Sequence, residues 1–363
     1  MSLPVVRLSG SPYEQGLRHG RELKDRIAHN LRVYFDRFEQ EAKLPRGEVR
    51  QRAARFGPAI EAESPAYFAG LRGIAEGSGF DPNDLTALNV RYELLYYETG
   101  RIALAAGCTA FAVLPPATAN RHLLIGQNWD WIPDVQGAVL HTVEGDGSET
   151  ISFTEAGIFG GKIGFNSAGL GLAVNGLQTT DDDWSRPGKP FHVRCYEILG
   201  SRGIETAARA AADPIRSCSA NYLIAQVPDR VVDIEAASAR VRFLDCENNR
   251  IVHTNHFVDP AALGIVEPPS ERRPHSLHRR TRMQTLLASR PALAVSELGE
   301  LLRDHDGYPY SICRHPDPSL PAGERYSTVT SVIMDLNTRE MEITDGPPCT
   351  AAYQHIAGLT PNA

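Results

Sequence analysis

Apolar residues in the first hundred positions recur every three or four places. Leu23, Ile27, Leu31, Tyr34, Phe35 and Phe38 mark one face of a helix. Upstream, Ser11, Pro12 and Glu14 form a capping-box signature with proline at the first helical position. Ser64-Pro65 opens a further helix through Tyr67, Phe68, Leu71 and Ile74, and Asp81-Pro82 another through Leu85, Leu88, Tyr92 and Leu95. In each, the cap oxygen can take an N–H that the helix leaves unpaired, and proline costs nothing where no N–H is needed. The block predicts helix.

At Gly107 the pattern changes. Short β-type runs predict strands over 108–114, 123–129, 138–143, 151–153 and 170–177, several separated by Gly, Asn or Asp turns. A helix follows over 191–212, then strands over 221–226, 231–234, 241–244 and 251–253. Helices over 277–288 and 294–304 precede a closing hairpin of 327–336 and 340–344. Strict βαβ alternation is missing, so the expectation is an α+β fold of antiparallel sheets with segregated helices. The stretch 267–274 is the most loop-like.

Composition narrows the function classes. The 363 residues are 42% hydrophobic and 22% charged, which supports a sizeable core and argues against disorder. A formal charge of −7 offers no basic field for a nucleic acid. The six cysteines form no CxxC pair, so neither a zinc ribbon nor a disulfide framework is expected. No leader pattern precedes the first helix, and no window of about 18 apolar residues could span a membrane. The expectation is a reduced, cytoplasmic enzyme without nucleic-acid or membrane partners.

Two segments carry candidate chemistry: Ala106-Gly107-Cys108-Thr109 and Gly126-Gln127-Asn128-Trp129-Asp130-Trp131. Taken alone, Cys108 reads as a small buried hydrophobe at the junction of the helical and β blocks. Trp129 and Trp131 flank Asp130 and on a strand face away from it. A buried carboxylate needs a partner, and a strand pair could bring Asp130 toward Cys108; equally, Asp130 could cap a turn before Ile132-Pro133. Spacing alone decides neither.

Together, Gly-Cys-Thr and Gly-Gln-Asn-Trp-Asp-Trp resemble the family of acyl-coenzyme A:6-aminopenicillanic acid acyltransferase and its autoproteolytic relatives, which are N-terminal nucleophile hydrolases. The likeness runs from Gly16-Leu-Arg-His-Gly20 through Cys108 to the strand at 327–336. It implies a four-layer αββα sandwich preceded by an N-terminal helical segment. It implies also that the chain cuts itself between Gly107 and Cys108. Residues 1–107 would become a helical α fragment, and 108–363 a catalytic β fragment that stays associated with it. The freed α-amine of Cys108 titrates at about 7.7–8.0 in model peptides and can serve as base for its own thiol.

The resemblance assigns Asp130 to holding the Cys108 amine or thiol, and Asn255, in His253-Thr-Asn-His256, to the oxyanion. Asn166 matches a second site asparagine, and Arg279 an arginine beside the nucleophile, with Arg280 and Arg282 leaving the helical register open. Trp129, Trp131 and Asn175 are expected on the substrate side, although Asn175-Gly176 is also a strong hairpin-turn signal.

Other candidates carry less. His253 and His256 with Asp259 could be metal ligands but lack helical placement and a second cluster, so no metal or other cofactor is expected. His315 near Cys313 suggests a Cys/His dyad, yet Arg314-His-Pro-Asp-Pro reads as loop. Loops around Asp181–Trp184 and Tyr308–Tyr310 are expected to line the pocket. The resulting expectation is a cysteine amidohydrolase cleaving a small N-acyl amide through an acyl-thioester. An acyltransferase from thioester to amine, and an uncleaved binding protein, are the alternatives.

Overall fold

The computed structural model describes residues 2–99, 107–183, 186–214, 216–267 and 274–359. Trp184 and most of the loop-like stretch 267–274 lie outside the described residues. The chain opens on strand β1 (Val5–Ser9) and helices α1 (Pro12–Glu22), α2 (Lys24–Gln40), α3 (Arg46–Glu63), α4 (Pro65–Ser78), α5 (Pro82–Asn89) and α6 (Arg91–Thr99). The Ser11 capping box forms: Ser11 Oγ accepts from the Glu14 N–H, and the Glu14 carboxylate accepts from the Ser11 N–H at 2.8 Å. Asp81 caps α5 through the Asn83 N–H at 2.8 Å. Helices α1 and α4 pack backbone to backbone, because a Cβ on Gly16 would lie 2.0 Å from the Gly70 carbonyl oxygen, and one on Gly77 2.1 Å from that of Leu17.

Two expectations for the helices need correcting, and one helix of the block is not located individually by the sequence pattern. Residues 1–107 are not wholly helical, since β1 adds a parallel edge to a sheet by pairing with residues 139–143. Helix α3 escapes the sequence reading because Gly57-Pro58 looks like a break and its buried stripe (Val49, Ala53, Phe56, Ile60) is narrow. The single helix expected over 191–212 is two, α7 (Phe191–Leu199) and α8 (Ile204–Ala212), parted at Gly200 and Gly203.

Two sheets follow. Strands β4 (Gly137–Val143), β5 (Glu149–Glu155), β6 (Ile163–Asn166), β7 (Leu170–Gly176), β8 (Ala220–Gln226), β9 (Arg230–Ala236) and β10 (Val241–Leu244) continue from β1 in sequence order as an eight-stranded sheet. The second is six-stranded, built from β2 (Gly107–Val113), β3 (Leu124–Trp131), β11 (Arg250–His253), β12 (Ser327–Asp335), β13 (Glu340–Ile343) and β14 (Gln354–Ile356). Its order is β11-β2-β3-β12-β13-β14, with β2 and β3 both in its interior. Asn175-Gly176 ends β7 and makes no hairpin turn, as β7 pairs with β6 and β8.

The sheets face one another through β2, β3 and β7. Helices α7 and α8 cover the far side of the eight-stranded sheet, and α10 (Pro274–Ala288) and α11 (Val295–Leu301) the far side of the other; a one-turn α9 (Pro260–Leu263) precedes α10. The result is the expected four-layer αββα sandwich of an α+β fold. Strand β2 is buried along its whole length because it is covered on both faces. Cys108, Ala110 and Ala112 join the core between the sheets, whereas Phe111 and Val113 pack with Met283, Leu287 and Leu298 of the helical layer. No helix among the described residues is long and apolar enough to cross a membrane.

Candidate active site

Register places the pieces. In the antiparallel β2–β3 pair, Gly107 lies opposite Asp130, and Cys108 opposite Trp129. Paired residues share a face, so Cys108 points with Trp129 between the sheets, and Asp130 points with Gly107 toward α10. Both are buried, at 4% and 0% exposure. Asp130 and Cys108 are neighbours through the strand rather than on one face.

Strand β11 pairs with β2 only as far as His253 opposite Ala110. Beyond that the backbone ladder runs out, and a side chain continues it. The Cys108 N–H donates to Asn255 Oδ1 at 2.6 Å, while Asn255 Nδ2 donates to the Gly176 carbonyl at 3.0 Å. The amide assigned to an oxyanion therefore has its NH2 engaged by the opposite sheet and its oxygen on the Cys108 nitrogen. Its own backbone N–H donates to Ser276 Oγ at 2.8 Å, which fixes the loop against α10.

Arg279 resolves the open register of α10. Its Nη1 donates to the Cys108 carbonyl at 2.7 Å and to Thr109 Oγ1 at 3.0 Å, and its Nη2 to Asn255 Oδ1 at 3.1 Å. Arg280 turns to the Val252 carbonyl and Arg282 pairs with Asp304. A second arginine, Arg314, is buried on the same side. A Cβ added to Gly107 would stand 2.7 Å from Arg314 Nη1, 2.9 Å from Asp130 Oδ2 and 3.3 Å from Arg279 Nη2. Three charged side-chain ends converge where a side chain on residue 107 would be, and any larger residue would have to displace them.

Asp130 accepts one hydrogen bond, from Thr328 Oγ1 at 2.7 Å, and its Oδ2 has no partner among the described residues. Burial pushes its carboxyl up to about 7, opposed by Arg279, Arg314 and the Thr328 bond. Burial, with the Asp130 charge behind it, pushes the Cys108 thiol up to about 11; the Asp130 backbone N–H, Arg279 and Lys162 pull the other way. In the continuous chain the thiol is therefore protonated near neutrality.

Lys162 is the residue the sequence reading missed most plainly. It is 2% exposed, lies with its Nζ 3.1 Å from the Trp129 ring centroid, and pairs with Glu155. Burial pushes its ammonium down to about 7 against the pull of Glu155. The one available signal was a lysine in an otherwise apolar run, Ile158 to Phe165. Arg314 and Thr328 were missed because only the fold carries them to Gly107.

The remaining expectations separate. Asn166 belongs to the β6–β7 turn: Nδ2 donates to the carbonyls of Leu199 and Ser201, and Oδ1 accepts from the N–H groups of Ala168 and Leu170. No contact joins it to Cys108. Asn175 lies buried in β7 and bridges the sheets through the His253 carbonyl at 3.4 Å. Trp129 and Trp131 stack at 6.0 Å, and Trp131 donates to the Tyr34 hydroxyl at 2.7 Å, which ties the helical block to the sandwich. Both indoles are buried.

Comparison with known proteins supplies context for this geometry. The sequence model of the family described as acyl-coenzyme A:6-aminopenicillanic acid acyl-transferase matches residues 117–348. The acyl-coenzyme A:6-aminopenicillanic-acid-acyltransferase 40 kDa form of Emericella nidulans is 28% identical over 350 residues, covering 94% of this chain and 92% of that protein. Among solved structures, a mutant conjugated bile acid hydrolase from Clostridium perfringens aligns with a TM-score of 0.47 at 11% identity, over 69% of this chain and 92% of the other. Penicillin V acylase from Agrobacterium tumefaciens aligns at 0.45 and 14%, over 69% and 86%.

Proposed function

This chain belongs to the acyl-coenzyme A:6-aminopenicillanic acid acyl-transferase family, enzymes acting on amide bonds, and from that premise we propose that it is a self-processing cysteine amidohydrolase with Cys108 as nucleophile. The observation that carries the reading is the set of groups on one peptide bond. Asn255 Oδ1 sits 2.6 Å from the Cys108 nitrogen, and the charged ends of Asp130, Arg279 and Arg314 crowd the Gly107 Cα.

In processing, the Cys108 sulfur adds to the Gly107 carbonyl carbon and the Gly107–Cys108 C–N bond breaks. The thiol proton ends on the departing nitrogen, leaving a thioester. Water hydrolyses it, releasing the Gly107 carboxylate and restoring the thiol. A free α-amine titrates at about 7.7–8.0 in model peptides, so a fraction is neutral near pH 7 and can take the thiol proton as the sulfur attacks. Asn255 Oδ1 is placed to hold that amine by an N–H. Asp130 supplies a negative charge beside it. The mature thiolate then attacks the carbonyl of a small N-acyl amide, expels the amine, and the acyl-thioester passes to water. The two fragments stay together because they share one core: Tyr34 donates to Glu155, and β1 pairs with β4.

Acyl transfer to an amine is a second reading, favoured by the Emericella relative, which is named an acyltransferase. Denaturing electrophoresis with intact mass tests the first step. Wild type should give fragments 1–107 and 108–363, and Cys108→Ala one uncut chain. Trapping the acyl-enzyme and offering water or amines separates hydrolysis from transfer. An uncut wild type that releases no amine from any N-acyl amide would overturn the proposal in favour of a binding protein.

A further inference from the structure

Four side chains that the reaction above does not use meet near the surface: His305, Cys313, His315 and Cys349. One ligand-capable atom from each lies within 4.8 Å of all the others. His315 Nε2 is 3.1 Å from His305 Nε2, 3.3 Å from Cys349 Sγ and 3.7 Å from Cys313 Sγ. A ring nitrogen has a single in-plane lone pair or proton, so it cannot serve three partners at once. A cation at the centre of the four serves them all.

We propose that His305, Cys313, His315 and Cys349 bind one zinc ion in a closed tetrahedral site. Zinc bound at about 2.3 Å to sulfur and about 2.0–2.1 Å to nitrogen sets tetrahedral edges of about 3.3 Å between nitrogens and about 3.6 Å between nitrogen and sulfur. The three separations found here fall around those values. Two thiolates with two imidazoles are a zinc donor set, too soft for magnesium or calcium. Four protein ligands leave no position for water, which makes the ion structural rather than catalytic.

The site's place in the fold gives the ion a purpose. It staples the segment between α11 and β12 to the turn after β13. Arg314 lies between two of the ligands in sequence. Its N–H donates to Thr328 Oγ1 at 2.9 Å, the hydroxyl that in turn donates to Asp130. Metal binding thus fixes the backbone of the residue whose guanidinium reaches Gly107. The zinc assignment itself does not depend on Cys108 being the nucleophile.

The test uses the full-length chain, purified under reducing conditions without chelator or a metal-affinity column. Elemental analysis should find about one zinc per chain. Cobalt exchanged into the site should show the intense visible bands of a tetrahedral ion and a thiolate charge-transfer band in the near ultraviolet. His305→Ala, at the exposed ligand, should release zinc to a chelator faster; Cys313→Ser with Cys349→Ser should lose the metal and the charge-transfer band. A zinc-free chain that also takes up no cobalt overturns the proposal. So does full stoichiometry in the double variant, or a Cys313–Cys349 disulfide in the reduced preparation.

Discussion

The molecule buries two clusters of the same charge formula, one carboxylate with two cations, and treats them oppositely. Glu155 receives the Tyr34 hydroxyl, both the Nε and Nη2 of Arg91, and Lys162 Nζ. Burial would raise its carboxyl, but Arg91 and Lys162 outweigh burial and hold it well below the carboxylate range. Asp130 faces Arg279 and Arg314 but among the described residues accepts only from Thr328, because Arg279 spends its donors on Cys108, Thr109 and Asn255. Its carboxyl rises to about 7. The saturated cluster joins helices to sandwich, whereas the unsaturated one keeps a carboxylate oxygen free beside Gly107. Hydrogen-bond supply, not charge count, sets the two carboxylates apart.

The largest effect should come from Asp130→Asn. Fragment formation should slow by about 10²–10⁴-fold, the range lost with a positioned acid–base group, while the chain stays folded. Wild-type processing in that variant would break the contrast. Next, Glu155→Gln leaves Arg91 and Lys162 without their carboxylate and should cost about 3–5 kcal/mol in denaturant unfolding.

The two carboxylates should also give pH dependences of opposite sign. Asp130 titrates near 7 folded against an ordinary 3.8, so it holds its proton more tightly in the fold. Its contribution to stability falls as pH rises from about 4 to about 7, and Asp130→Asn should remove that decline. Glu155 is lowered from 4.5, so its contribution is present above that value and lost as pH falls. Unfolding curves of both variants across pH 3–8 check this. On the reactive side, removing the Asp130 charge should move the Cys108 alkylation midpoint below about 11, since that charge helps raise the thiol. The smallest change, Thr328→Val, deletes the one bond to Asp130 and should raise its carboxyl further, slowing processing about tenfold.

Much of this was legible in the chain itself. Cap signatures at Ser11, Ser64 and Asp81, with proline in phase, located helices. At Ser11 and Asp81 the cap is a contact between residues two or three apart, whereas among the described residues Ser64 makes no side-chain cap hydrogen bond. Most strands of both sheets were readable as short β-type apolar runs, β2, β3 and β12 being buried along their whole length, but β1, β6 and β14 were not. Helix α3 was not, as Gly57-Pro58 imitates a break in a helix whose stability comes from packing. Cys108 and Asp130 stood out through the motif around them, and Arg279 through the family resemblance, with the register among Arg279, Arg280 and Arg282 left open.

What the tertiary structure alone decided is which distant residues share a point in space. Gly107 meets Arg314 across more than half the chain, Asn255 takes the Cys108 N–H where β11 ends, and Lys162 comes to lie on Trp129. It also engaged Asn166 away from Cys108, its oxygen in the β6–β7 turn and its NH2 on the carbonyls of Leu199 and Ser201. The order of residues fixes local conformation through short-range sterics and hydrogen bonds. Burial, and with it every shifted ionisation described here, depends on what the rest of the chain places around a group, and no window of sequence contains that.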